Sequence, residues 1–148
     1  MTNKEKLNHF FVSCFYSILA AEEKVLESIT NGKLTLKEIH VIEAVFRTKA
    51  TGGNTFTNIA NTLRVTLGTL TTAFLKLEQK GYLTKEQDKN DKRVYYIEPT
   101  RLAELINDEH AVFHERMIEG VLTLIPEKEV EHLVGALQLL DEFFRTLG

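Results

Sequence analysis

Thr57-Asn58-Ile59-Ala60-Asn61-Thr62-Leu63-Arg64-Val65-Thr66-Leu67-Gly68-Thr69-Leu70-Thr71-Thr72-Ala73-Phe74-Leu75-Lys76-Leu77-Glu78 is the stretch on which the fold turns. Ile59, Ala60 and Leu63 recur at helical spacing and give a first short helix an inner face. Val65 plugs the turn that follows, and the Thr66 hydroxyl caps a second helix. Leu70, Phe74 and Leu77, with Ala73, turn that second helix toward a core. Gly68, Thr69, Thr71, Thr72 and Lys76 are left outward or near its N-terminus. Threonine is a mediocre helix former, and five threonines between Thr62 and Thr72 call for a reason. A small, hydroxylated face can enter a DNA major groove, offer oxygens to bases or phosphates and touch thymine methyl groups, with Lys76 placed for a phosphate. The competing reading is a threonine-rich face turned to solvent.

Outward from this pair the pattern stays helical and then changes. Leu7, Phe11, Cys14, Ile18 and Val25 mark one face of a long first helix, which Asn31-Gly32 stops. Thr35 and Glu38 form a capping box for a second helix through Ile39, Ile42 and Val45. The helices of the central pair are expected at about 56–63 and 67–80, with Gly81 closing the latter. Tyr82-Leu83-Thr84 and Arg93-Val94-Tyr95-Tyr96-Ile97 flank a polar tip and predict a β-hairpin. Pro99-Thr100 opens a long helix through Leu102, Leu105, Phe113, Met117, Val121 and Leu124, and Pro126 starts the last one. The predicted order is α-α-α-α-β-β-α-α, a mainly α winged helix-turn-helix with a small hairpin wing. Residues 35–100 form its DNA-binding region; residues 1–34 and 101–148 supply dimerisation helices.

The wing carries a second signal. Asp91 precedes Arg93 by two residues, with Lys92 between them. An arginine at a hairpin tip can enter a narrow minor groove, and a neighbouring carboxylate can hold its guanidinium in a bidentate pair. Overall formal charge is −3, which by itself disfavours a polyanionic partner. Its distribution matters more: residues 64–101 hold eight bases and five acids, so that segment is +3 and the rest −6.

These features resemble the MarR family of winged-helix regulators. The match is strongest at Val65-Thr66-Leu67-Gly68-Thr69-Leu70-Thr71-Thr72, at Leu77-Glu78-Gln79-Lys80-Gly81-Tyr82-Leu83 and at Asp91-Lys92-Arg93. The resemblance implies a homodimer that grips a pseudo-palindromic operator, with the first and last helices interlocked. Family members commonly close the wing with Leu-Thr and a glycine three residues later, where this chain has Pro99-Thr100 and Ala103. Leu36-Lys37-Glu38-Ile39-His40 and Phe113-His114-Glu115-Arg116-Met117 resemble the FabT-like branch, repressors of fatty-acid biosynthesis. That likeness implies acylated acyl carrier protein as corepressor. The basic pair usual at the wing of that branch is replaced by Asp91-Lys92-Arg93.

A sensor is sought in the remaining polar residues. His110 and His114 stand i, i+4 on one helix, a spacing that metals use. Glu22 lies on the apolar stripe of the first helix and so needs a partner. With His40 these residues resemble one metal site of zinc-responsive members of the family, and they also suit a hydrogen-bonded polar cluster. Cys14, among Phe10, Phe11, Phe15 and Ile18, reads as a core cysteine rather than a redox sensor. Leu133, Leu137, Leu140 and Phe144 on the last helix, with Phe10 and Phe11 on the first, exceed what one subunit's core can absorb and are expected at a dimer interface.

Other classes fit poorly. No glycine-rich phosphate loop, nucleophile triad or paired carboxylates in a cleft point to an enzyme. A winged helix that serves only as a protein-interaction module is the remaining alternative. No apolar run is long enough to cross a membrane, and no secretory leader or disulfide framework is read, so a cytoplasmic location is expected.

Overall fold

The computed structural model describes residues 1–147. The order is α1 (Asn3–Thr30), α2 (Leu36–Lys49), α3 (Phe56–Leu63), α4 (Leu67–Gln79), β1 (Leu83–Gln87), β2 (Tyr95–Pro99), α5 (Arg101–Leu124) and α6 (Glu127–Leu147). This is the anticipated mainly α architecture with one antiparallel hairpin. The chain divides into two compact units, Met1–His110 and Ala111–Gly148.

In the first unit, side chains that cap the orphan backbone groups of the helices set where those helices begin. Thr2 with Glu5 and Thr35 with Glu38 form reciprocal capping boxes at α1 and α2. Thr55 and Thr66 accept the amides of Asn58 and Thr69 and so open α3 and α4. Asn31 (φ 53°) ends α1 in the left-handed region, and Arg64 does the same after α3 (φ 56°). Gly81, at φ 87°, turns the chain from α4 into the wing.

The core joins one face each of α2, α3 and α4 to the wing and the start of α5. Ile42, Val45, Ile59, Leu77, Ile97 and Ala103 have no measurable exposure. Ala103 explains the absence of a glycine there: the closing turn leaves room for one methyl group in the core. Thr100 anchors that turn, donating to the carbonyls of Gly81 (2.7 Å) and Tyr82 (3.0 Å) while capping the amide of Ala103. Lys80 ties α4 to the start of α2, reaching both oxygens of Glu38 (3.0 Å each) and the carbonyl of Lys33 (2.9 Å). Burial pushes the Glu38 carboxyl up, but hydrogen bonds from the Thr35 amide and from Lys80 outweigh this and leave it below the usual carboxylate range.

Two local expectations change. Strand β1 runs on to Gln87 and β2 begins only at Tyr95, with Leu83 opposite Pro99 and Gln87 opposite Tyr95. Arg93 therefore sits in the loop and not in a strand. Val65 is 37 % exposed and does not plug the turn; its amide closes α3 by bonding the Ala60 carbonyl at 3.0 Å. Asn54, in the loop before α3, is buried against β2: its side chain donates to the Ile97 carbonyl (2.9 Å), and its own carbonyl accepts the Ile97 amide (2.8 Å).

The N-terminal half of α1 contributes little to this core. Its buried residues, Glu22, Leu26 and Thr30, all lie toward the C-terminus, while Leu7, Phe10, Phe11 and Phe15 are exposed. In the second unit, α6 follows Pro126 and has no buried residue among those described. Leu133, Leu137, Phe143 and Phe144 are exposed and Leu140 is half-buried. No helix is long and apolar enough to cross a membrane.

Candidate nucleic-acid interface

Helix α4 turns Leu70, Phe74 and Leu77 inward, each at most 1 % exposed, and its opposite face outward. Thr66, Gly68, Thr69, Thr71, Thr72 and Lys76 are all exposed, as the sequence pattern requires. Their hydroxyls are already partly engaged. Thr66 accepts the Thr69 amide (3.1 Å) and donates to the Thr69 hydroxyl (2.9 Å). Thr71 donates to the Leu67 carbonyl (2.8 Å) and Thr72 to the Gly68 carbonyl (3.1 Å). Threonine's ability to bond the carbonyl one turn back lets a β-branched residue sit in this helix while its methyl group points outward.

The wing tip is shaped by Asp88, whose carboxylate accepts the amides of Asn90 (2.9 Å) and Asp91 (2.8 Å) and the Tyr96 hydroxyl (3.0 Å). Those bonds hold the Asp88 carboxyl below its usual range and push the Tyr96 hydroxyl up. Beyond this turn, Asp91 grips Arg93 in a bidentate pair: Nε to Oδ1 at 3.1 Å and Nη2 to Oδ2 at 3.2 Å. The Arg93 amide also bonds Asp91 Oδ1, at 3.0 Å. The side-chain bond from Arg93, then its amide, hold the Asp91 carboxyl below the usual range. The Arg93 side chain stays 91 % exposed, so it is aimed without being buried. Lys92 is exposed beside it.

A cleft of about 470 Å³ lies between the starts of α3 and α4 and the wing, bringing Thr71 and Arg93 to one surface. It is also lined by Thr55, Thr57, Leu67, Lys85 and Tyr95, which the sequence reading did not select. Lys85 stands over the Tyr95 ring, 5.1 Å from its centroid. A first strand drawn one residue longer would have placed Lys85 on it. Leu67 (52 % exposed) and Leu75 (54 %) are large apolar side chains on the open face of α4, where apolar periodicity alone assigns a core.

The polar residues selected as sensor candidates converge in part. Glu22 Oε1 meets His110 Nε2 at 2.7 Å and His40 Nε2 at 3.0 Å, and His110 Nδ1 meets Glu43 at 3.2 Å. Glu22 and His110 are buried. Burial raises the Glu22 carboxyl, but the bonds from His40 and His110 prevail and lower it. The bond to Glu43, opposed by burial and helped by Glu22, raises the His110 imidazole. The ligand atoms of Glu22, His40 and His110 lie within 4.8 Å of one another. His114 follows one turn later in α5, in the second unit, with its ring against Phe113. Cys14 is half-buried.

Six helices among the described residues, the fourth opened by a threonine cap, and one antiparallel hairpin define a winged helix-turn-helix fold. The MarR family profile matches residues 34–95. A Streptococcus pneumoniae FabT structure in complex with DNA superposes with a TM-score of 0.87 at 29 % identity, over 99 % of this chain and all of that one. An S. aureus MepR–DNA complex gives a TM-score of 0.72 at 18 % identity, covering 89 % of this chain and 96 % of MepR. The adhesin competence repressor AdcR of Streptococcus pyogenes gives 0.70 at 24 % identity, over 97 % and 98 % of the two chains. Among curated proteins, none matches the sequence. The match over residues 34–95 and the shared fold make the chain similar to the MarR family of transcription regulators.

Proposed function

We propose that the chain is a repressor that binds a pseudo-palindromic operator as a homodimer. Residues 35–100 act as the reading head; helices within 1–34 and 101–148 dimerise. Thr66, Gly68, Thr69, Thr71, Thr72 and Lys76 of α4 enter the major groove, and Asp91, Lys92 and Arg93 of the wing address the minor groove. The observation that carries this reading is Arg93, exposed at the wing tip, held bidentate by Asp91 and bordering the same cleft as α4. The regulated genes are those of fatty-acid biosynthesis, with acylated acyl carrier protein as corepressor. Likeness to FabT over the full chain supports that assignment.

The test is fluorescence anisotropy of the protein on the duplex upstream of its own gene, against a scrambled duplex, at two salt concentrations. A preference for the native duplex that weakens steeply with salt is expected, because phosphate contacts release counterions. Addition of acylated carrier protein should tighten binding. Equal binding to both duplexes, with and without that effector, would instead identify a protein-interaction module.

The cluster at Glu22 favours a second reading, a zinc-responsive regulator. Two imidazole nitrogens and a carboxylate oxygen within 4.8 Å suit zinc, and Glu43 behind His110 supplies the carboxylate that commonly orients a ligating histidine. His114 is the remaining candidate ligand. Bound zinc would be a fixed positive charge joining three helices. Elemental analysis of the purified protein would then show about one metal per subunit, lost in His110→Ala. Metal-free protein whose DNA affinity ignores added zinc would leave the cluster as a hydrogen-bonded tie.

A further inference from the structure

The hydrogen-bond inventory of α4 carries a statement about bases. A threonine hydroxyl has one proton and two lone pairs. Thr71 and Thr72 spend that proton on the carbonyls of Leu67 and Gly68, and Thr66 spends its own on Thr69. Over the first two turns, the side chains facing out thus offer oxygen acceptors and methyl groups. The hydroxyl of Thr69 is the exception, because it receives from Thr66 and keeps its proton. No arginine, lysine, asparagine or glutamine stands among residues 66–74. Among the threonines, Leu67 stays 52 % exposed and lines the cleft that faces the wing.

Each base pair answers this face differently. In the major groove guanine shows only acceptors, N7 and O6, which need donors from the protein. Adenine and cytosine both show an amino group that donates to a hydroxyl oxygen, so the group that marks an A·T pair is the thymine C5 methyl, which packs against apolar carbon. Turning a threonine proton outward to serve guanine would break its bond to the helix carbonyl. We infer that α4 selects A·T base pairs, through thymine methyl groups packed on Leu67 and the threonine methyls and adenine amino groups bonded to Thr71 and Thr72. This rests on the DNA-binding reading above and adds the class of base that it reads.

Two experiments in sequence test it. The full-length protein is first used to select duplexes from a random library at physiological salt. The best duplex is then remade with uracil in place of thymine, one position at a time, and its affinity is measured by anisotropy. Uracil removes only the C5 methyl group, which lies in the major groove, so the wing in the minor groove is blind to the change. Expected are A·T pairs at the positions under α4 and a loss of about fourfold for each methyl removed there, the worth of one buried carbon. In Leu67→Ala, one of those uracil penalties should vanish while the others persist; the circular dichroism of the variant verifies its fold. A selected duplex that requires guanine under α4, or that tolerates uracil throughout, overturns the inference and leaves DNA binding intact. Failure to select any duplex overturns the DNA-binding reading itself.

Discussion

Arg93 and Asp91 show how one pair of residues can matter more than a net charge. The guanidinium is nearly fully exposed, yet two bonds to one carboxylate fix its plane. Asp91→Asn keeps the shape and removes the charge, so Arg93 should lose its aim and operator affinity should fall several-fold. Arg93→Ala should cost about 1–3 kcal/mol. In a double-mutant cycle measured by anisotropy, the two losses should not add, because each breaks the same contact. The pH dependence has a defined sign. Asp91 is held below its usual range, so the pair is complete above the ordinary aspartate value and is lost as pH falls through the lowered one. Lys92 offers a control: its side chain is exposed beside Arg93, and Lys92→Ala should weaken all duplexes alike. The Asp-x-Arg spacing made this pair legible in the sequence. The Glu22 cluster was legible only through its anomaly, a carboxylate on an apolar stripe; that His40 and His110 both meet one oxygen depends on packing across 18 and 88 residues. Glu22→Ala takes from the buried His110 imidazole the carboxylate that meets its Nε2 and should cost about 1–3 kcal/mol, read from the midpoint of thermal unfolding.

Helix boundaries were legible because each cap carries its own mechanism. Threonine at 35 with glutamate at 38, and threonine at 66 before the reading helix, form the bonds that their spacing predicts. The wing was less legible for a physical reason. Only Leu83 of β1 is buried, so the period-two alternation that marks a strand is missing over residues 84–87. Leu67 and Leu75 were not singled out at all, since apolar spacing alone does not tell an exposed leucine from a core one. Two substitutions probe the elements themselves. Thr66→Ala removes the cap of α4 and the partner of Thr69, and should lower stability by about 1 kcal/mol while loosening the first turn of the reading helix. Gly81→Ala meets no atom within 4 Å, so any loss must come from its backbone angle of φ 87°. That strain should cost about 1 kcal/mol or more. Urea denaturation of both variants would separate the effects: Thr66→Ala should also weaken DNA binding, and Gly81→Ala should weaken binding only as far as the wing shifts.

At the scale of the molecule, the apolar surface left uncovered by one chain is the feature to explain. Exposed phenylalanines at 10, 11 and 15 on α1 and an α6 without one buried residue among those described exceed the scattered apolar exposure normal for a monomer. A second copy of the chain is the covering proposed here, and closed two-fold symmetry would present two reading heads to a pseudo-palindrome. Leu137 and Phe144 lie two turns apart on α6, both exposed. Neither contributes to the core of the first unit, so charge placed there should spare that core. The double variant Leu137→Asp, Phe144→Asp should sediment as a monomer and retain its helical circular dichroism. Its operator affinity should fall by roughly 100-fold or more, because the second head no longer binds at the high effective concentration set by the first. Its salt dependence should fall with it, since half the phosphate contacts are gone. A variant that stays dimeric would move the interface away from this face of α6. One that becomes monomeric yet binds operator undiminished would show that a single head supplies the whole affinity, and the two-fold arrangement of the site would then need another reason.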